Sequence, residues 1–191
     1  ADEGNFYVGG LVGYNEGTIE DSFNNGAIEG SAQVTTTYLG GVAGYNAISS
    51  GVLRNNLNAG ALDYKASRGS NVSLYAYVGG ITGVGNGEIS GNTNEGDITS
   101  TSNVTNLYMG GIAGYVDADA VVKSCNNAAE VQSRSACKTI SIGGIVGHAV
   151  ADSTIDDCNN TSTVSTRTSN AGSNGGRYLS IGGIIGACAT S

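Results

Sequence analysis

Tyr108-Met109-Gly110-Gly111-Ile112-Ala113-Gly114-Tyr115 decides the fold, because near-copies of this stretch recur along the whole chain. They are Tyr7 to Tyr14 (YVGGLVGY), Tyr38 to Tyr45 (YLGGVAGY), Tyr77 to Val84 (YVGGITGV), Ser141 to His148 (SIGGIVGH) and Ser180 to Ala187 (SIGGIIGA). The first glycines of the pairs, Gly9, Gly40, Gly79, Gly110, Gly143 and Gly182, are spaced by 31, 39, 31, 33 and 39 residues. Recurrence at such a period marks a stack of equivalent units, and the uneven lengths mean a constant unit plus a variable loop. The repeats run near 7–37, 38–76, 77–107, 108–140 and 141–179, with a partial copy at 180–191, as one domain expected to be a piece of a longer protein.

A second half-repeat follows each copy. It reads GTIEDSFNNGAIEG from Gly17, GVLRNNLNAGALDY from Gly51, GEISGNTNEGDITS from Gly87, AVVKSCNNAAEVQS from Ala120 and STIDDCNNTSTVST from Ser153. Aligned, these give an apolar column Ile19, Leu53, Ile89, Val122, Ile155 and another at Ile28, Leu62, Ile98, Val131, Val164. Between them Asn24, Asn58, Asn94, Asn127 and Asn160 are identical.

The apolar positions never sustain helical spacing, and short β-branched runs punctuated by Gly, Asn and Ser read as strands. Val8-type and Leu11-type columns lie three residues apart, so both face inward only if the GG pair is a bend or bulge, where glycine tolerates φ > 0 and close rungs. That places the tyrosines of two columns, Tyr7, Tyr38, Tyr77, Tyr108 and Tyr14, Tyr45, Tyr115, on the outside. Stacking the repeats about 4.8 Å apart puts like on like. The aliphatic columns become a continuous interior and the asparagines an amide ladder. The expected fold is an all-β, right-handed parallel β-helix of five to six coils.

Composition excludes several classes. With 32 glycines but no proline in 191 residues, collagen is ruled out, and the regular columns argue against a disordered chain. A net charge of -8 and no Lys/Arg cluster disfavour a nucleic-acid partner. No apolar run is long enough for a membrane helix, so membrane insertion is not expected. Cys125, Cys137, Cys158 and Cys188 are too sparse for a disulfide scaffold. Cys125 and Cys158 are column neighbours within disulfide reach, and free thiols are expected because in-register side chains point in parallel.

The Gly10-Leu11-Val12-Gly13 core and its copies, with Thr154-Ile155-Asp156-Asp157-Cys158-Asn159-Asn160 and its copies, resemble the GLUG-motif repeats of bacterial secreted and surface proteins. The resemblance covers nearly the whole chain. In that family the repeats accompany peptidase domains of IgA-cleaving metallopeptidases and adhesin-like modules. With His148 the only histidine there is no HExxH, so peptidase activity does not carry over. The resemblance implies an extracellular or cell-surface stalk or adhesion module.

Three functions follow as expectations: a non-enzymatic binding scaffold, a carbohydrate-active β-helix enzyme, and a unit that self-associates end to end through open solenoid ends. An enzyme needs converging carboxylates, yet Glu20-Asp21 and Asp156-Asp157 are separated along their columns by Arg54-Asn55, Ser90-Gly91 and Lys123-Ser124, so no acidic stripe forms. Asp117-Ala118-Asp119 suits a turn better than a calcium site, and no metal or cofactor is expected. The ligand-binding candidates are the seven tyrosines, facing a host or microbial glycan or surface protein. The longest variable segments, Tyr64 to Ala76 and Thr166 to Arg177, carry Lys65, Arg68, Arg167 and Arg177 at one corner, where insertions either line a binding side or simply tolerate length change.

Overall fold

A computed structural model describes residues 2–31, 34–47, 50–66, 74–167 and 178–189, and every regular element among them is a strand. Each coil is built from five short strands. In the third they are Tyr75–Gly79, Thr82–Gly85, Glu88–Ser90, Thr93–Asn94 and Ile98–Ser100. Strands at equivalent places pair in parallel from coil to coil, giving two six-stranded and three five-stranded sheets among the described residues. The chain is a β-solenoid.

The register is that of the aligned columns. Tyr7 pairs with Tyr38, Tyr38 with Tyr77 and Tyr77 with Tyr108 in the first sheet. Ile19, Leu53, Ile89, Val122 and Ile155 stack in the third. Ile28, Leu62, Ile98, Val131 and Val164 stack in the fifth. The eight extra residues of the longer repeats are therefore absorbed outside the sheets.

The interior is not one continuous apolar column. Leu39, Val78, Met109 and Ile142 of the first sheet meet Leu62, Ile98 and Val131 of the fifth in one cluster. Val42, Ile81, Ile112 and Ile145 meet Leu53, Ile89 and Val122 in a second. The GG bend and the asparagine ladder keep the two lobes apart. A Cβ added at Gly41, Gly80, Gly111 or Gly144 would collide with the amide of Asn58, Asn94, Asn127 or Asn160 of the same coil, and with the carbonyl oxygen of the equivalent glycine in the next. Each coil is thus pinched at its waist by a glycine backbone lying on an asparagine side chain.

The GG pair bends the chain as its spacing requires, but left-handed backbone is not the reason. None of these glycines has positive φ; they are needed because a β-carbon has no room. Positive φ falls instead one residue after each third-sheet strand, at Asp21 (48°), Asn55 (54°), Gly91 (64°), Ser124 (51°) and Asp157 (49°). Asp, Asn and Gly tolerate that region best, so this column forms a corner of every coil.

The ladder satisfies its own polar groups. Asn24 Nδ2 donates to Asn58 Oδ1 at 2.9 Å, and Asn58 to Asn94, Asn94 to Asn127 and Asn127 to Asn160 at 2.8 Å each. The second amide hydrogen goes to a backbone carbonyl two residues on, at 2.9 Å from Asn58 to Gly60 and 2.8 Å from Asn127 to Ala129. Asn58, Asn94 and Asn127 are fully buried, so these bonds are what makes their burial tolerable. Shorter polar ladders run beside it, from Asn15 to Asn46 at 2.8 Å and from Asn56 to Asn92 at 3.0 Å. Coils at the ends of the stack expose what inner coils bury. Leu11 is 44% and Ile184 37% exposed, while Val42, Ile81, Ile112 and Ile145 in the same column are at 0%.

Gly111→Ala should destabilise the protein by at least about 3 kcal/mol, because its methyl meets backbone and a fixed amide rather than a yielding side chain. Gly183→Ala, at the same place in the last copy where a β-carbon meets nothing, should be close to neutral in urea unfolding. Equal losses at the two sites would show that the waist contact does not hold the coil. Ile112→Asp should cost more than about 4 kcal/mol by burying an unpaired carboxylate, read by the same transition.

Candidate functional site

The third glycine of each motif creates the most distinctive surface of the molecule. A β-carbon at Gly44 would strike the backbone of Val8, and one at Gly83 the backbone of Leu39, so first-sheet and second-sheet strands lie directly against each other there. Tyrosine precedes the first strand's GG pair and follows the third glycine on the second strand. Close approach of the strands therefore brings the two tyrosine rows together on the outside of the bend.

The rows interlock. Along the first, Tyr7 stacks on Tyr38 at 4.8 Å, Tyr38 on Tyr77 at 5.4 Å and Tyr77 on Tyr108 at 5.3 Å between ring centroids. Along the second, Tyr14 stacks on Tyr45 at 5.1 Å, and Tyr115 on His148 at 5.3 Å with the planes 6° apart. Between rows the rings meet edge to face, at 5.4 Å for Tyr7 with Tyr14, 5.3 Å for Tyr38 with Tyr45 and 5.4 Å for Tyr77 with Tyr115. All seven predicted tyrosines thus belong to one strip. His148 extends it in the fifth coil, whereas Ser141 leaves it and donates its hydroxyl to the Gly147 carbonyl at 2.6 Å. Burial lowers the pKa of His148, favouring the neutral ring.

The strip is half-buried and electrostatically coupled. Burial, then the neighbouring Tyr7 and Tyr45 hydroxyls, push the Tyr38 phenol up to about 12, and burial pushes Tyr77 higher still. Burial first, and then Tyr14 and Asp117, raise Tyr45; burial and Asp117 raise Tyr115. The Tyr45 hydroxyl accepts a hydrogen bond from Asn86 Nδ2 at 2.6 Å.

Charged residues are arranged differently. Arg54 lies between Glu20 at 3.4 Å and Glu88 at 3.2 Å, and Lys123 is 3.7 Å from Asp156, so these carboxylates are paired from coil to coil. Asp21 and Asp157 are exposed corner residues with left-handed backbone. Asp119 likewise has φ 63°, and Asp117 Oδ1 accepts from the Ala118 amide at 2.9 Å, as a turn requires. Among the described residues no cluster of three or more His, Cys, Asp or Glu is placed to hold a metal ion, and no helix is long and apolar enough to cross a membrane.

None of the four cysteines forms a disulfide. Cys125 and Cys158 continue the Asn56–Asn92 ladder with thiols, donating to the carbonyls of Ile89 at 3.5 Å and Val122 at 3.6 Å. A hydrogen bond from Cys125 holds the Cys158 thiol below its usual range and raises Cys125 correspondingly. Of the two long variable segments, residues 67–73 and 168–177, with Arg68 and Arg177, lie outside the described residues; Lys65 is ion-paired with Asp63, and the Arg167 amide bonds the Ser133 carbonyl at 2.7 Å.

Stacked parallel coils carrying an external aromatic strip define a repeat-built β-solenoid. Two of its repeats match the GLUG motif family, over residues 4–29 and 139–165. Each matched segment runs from a first-sheet strand to the fifth-sheet strand of the same coil. No curated protein and no solved structure matches the chain.

Because a raised tyrosine pKa means that the fold favours the neutral phenol, the stability held below the unfolded value of 10.0 should be lost as pH rises toward the folded value of about 12 for Tyr38. Urea midpoints should fall steeply across that window, and Tyr38→Phe should flatten part of the fall. A midpoint constant through it would mean the rows are not buried as described.

Proposed function

We propose that the chain is a non-enzymatic recognition module, working outside the cell or on its surface as an adhesin-like stalk, whose tyrosine strip is the contact face for a glycan or a surface protein. The observation that carries this reading is the strip itself. Seven tyrosines and a histidine, locked by stacking and edge-to-face contacts, form a rigid surface at little further entropic cost on binding. Hydroxyls at the ring tips supply polar contacts while ring faces and edges supply area.

The carboxylates support the same reading. A glycoside hydrolase uses two facing carboxyl groups, whereas Glu20, Glu88 and Asp156 are each paired with a basic neighbour on the third sheet. That sheet adjoins the strip's second-sheet row but does not converge on it. No cofactor or metal enters this mechanism, and the acidic chain suits a neutral partner better than a polyanion. The apolar side chains exposed on the end coils suit stacking of a further coil there, so extension of the stack accompanies recognition rather than competing with it.

The test is a panel of neutral and acidic oligosaccharides and extracellular-matrix proteins, read for both binding and cleavage. Binding without new reducing ends is expected, weakened about five-fold by Tyr38→Ala or Tyr108→Ala, since each removes one ring worth roughly 1 kcal/mol of contact. Reproducible release of reducing ends would transfer the protein to the carbohydrate-active enzymes. Binding indifferent to both substitutions would place recognition away from the strip.

A further inference from the structure

The second tyrosine row is interrupted at one place. Tyr45 pairs in register with Val84, and Val84 with Tyr115, so the third coil has no ring where the coils on either side have one. Val84 is 5% exposed and leaves a notch of about 170 Å³, lined also by Tyr38, Tyr77, Asn86 and Asp117. At the backbone Tyr45 and Tyr115 stand two coil spacings apart, about 9.6 Å, twice the separation at which rings of adjacent coils stack.

The edge of the notch is polar. Asn86 is 4% exposed; one of its amide atoms bonds the Tyr45 hydroxyl, and the other, Oδ1, is buried with no hydrogen-bond partner. An unmet acceptor of this kind costs free energy until a donor reaches it. Asp117 lies close enough to both walls to raise the pKa of Tyr45 and Tyr115, behind burial in each case. On its other side Asn86 lines a larger groove of about 500 Å³ with Glu88, Ser90, Asp119 and Lys123. Notch and groove share Asn86, so a guest longer than one ring has polar space to continue into.

We propose that this gap is a binding subsite for a single neutral pyranose ring of a longer glycan, sandwiched between Tyr45 and Tyr115, with its edge hydroxyls on Asn86 and Asp117. This rests on the recognition reading above and narrows it to one subsite. The guest must be apolar on both faces and polar around its rim. A pyranose of gluco configuration meets that requirement, because its substituents are all equatorial and axial C–H bonds point to both sides; a galacto epimer places a hydroxyl against one wall. An aromatic or guanidinium side chain has two faces but no ring of hydroxyls for the rim and groove. Acidic sugars are disfavoured by Asp117 at the notch and by Glu88 and Asp119 in the adjoining groove.

The experiment is calorimetric titration of the protein with β-1,4-linked tetrasaccharides of glucose, of N-acetylglucosamine and of galactose, with N-acetyl-tyrosinamide and N-acetyl-argininamide as side-chain probes. One of the two gluco tetrasaccharides is expected to bind at least about ten-fold more tightly than the galactose one, a difference of one stacking face. Val84→Tyr supplies the missing ring; it should leave the melting temperature unchanged or higher and weaken gluco binding by about ten-fold or more. Asp117→Ala, at the rim and outside the core, should weaken it several-fold and serves if the Val84 variant does not fold. A folded Val84→Tyr protein that binds gluco tetrasaccharides as well as the wild type, yet loses binding on Tyr38→Ala, overturns the subsite and leaves recognition by the strip standing. Binding of a side-chain probe but of no sugar, or of no probe at all, overturns the assignment to a glycan.

Discussion

The glycine backbone of each GG bend lies on the side-chain amide of the ladder asparagine across the coil, and the rest of the structure depends on that contact. It brings opposite walls of the solenoid too close for any β-carbon at Gly10, Gly41, Gly80, Gly111 and Gly144, the second glycines of the five coils that carry a ladder asparagine. It also turns a single interior into two aliphatic stacks, each narrow enough to be filled by one or two side chains per wall. Fully buried Ile and Leu at these positions contribute about 1.5 to 3 kcal/mol apiece, and the waist sets which residues reach that burial. The amide at the waist is buried, so its own hydrogen bonds to the coils above and below make the close approach affordable.

From the waist the external surface follows by geometry. A bend at the GG pair, followed by close contact at the third glycine, lays the second-sheet strand on the first. The tyrosines that flank the motif are then carried onto one side of the molecule, and coil spacing puts each above its equivalent. The aromatic strip is therefore a by-product of how the chain turns, made continuous by repetition. The repetition fails at Val84 in one tyrosine column, flanked by Tyr45 and Tyr115, and at Ser141 in the other, where the tyrosines end.

Columns were legible in the sequence because a solenoid converts sequence period directly into contact. Ile19 to Ile155, Ile28 to Val164 and Asn24 to Asn160 could be aligned by eye, and each alignment is a line of neighbours. What the sequence hid are relations between columns. That Gly111 faces Asn127 requires knowing how the coil closes, and the residues lie sixteen positions apart with no periodic signal linking them. The left-handed corner was visible in part, since Asp21, Asn55, Gly91 and Asp157 are the residue types that tolerate positive φ, although Ser124 among them breaks the pattern. The interruption at Val84 was plain in the alignment, but its consequence depends on the two tyrosine rows meeting, which only the close strand approach at the third glycine brings about.

The asparagine ladder also gives the molecule a direction. Every amide donates the same way, from Asn24 toward Asn160, so the bond dipoles add along the axis rather than cancel. At one end the Asn24 oxygen is left to the backbone amide of Gly26, and at the other the Asn160 nitrogen to the carbonyl of Ser162. A coil added beyond Asn24 must offer a donor, and one added beyond Asn160 must offer an acceptor. Growth of the stack, by whichever chain supplies the coil, is therefore head to tail: the two ends are complementary to each other and not to themselves, which excludes a two-fold pairing of like ends through the ladder.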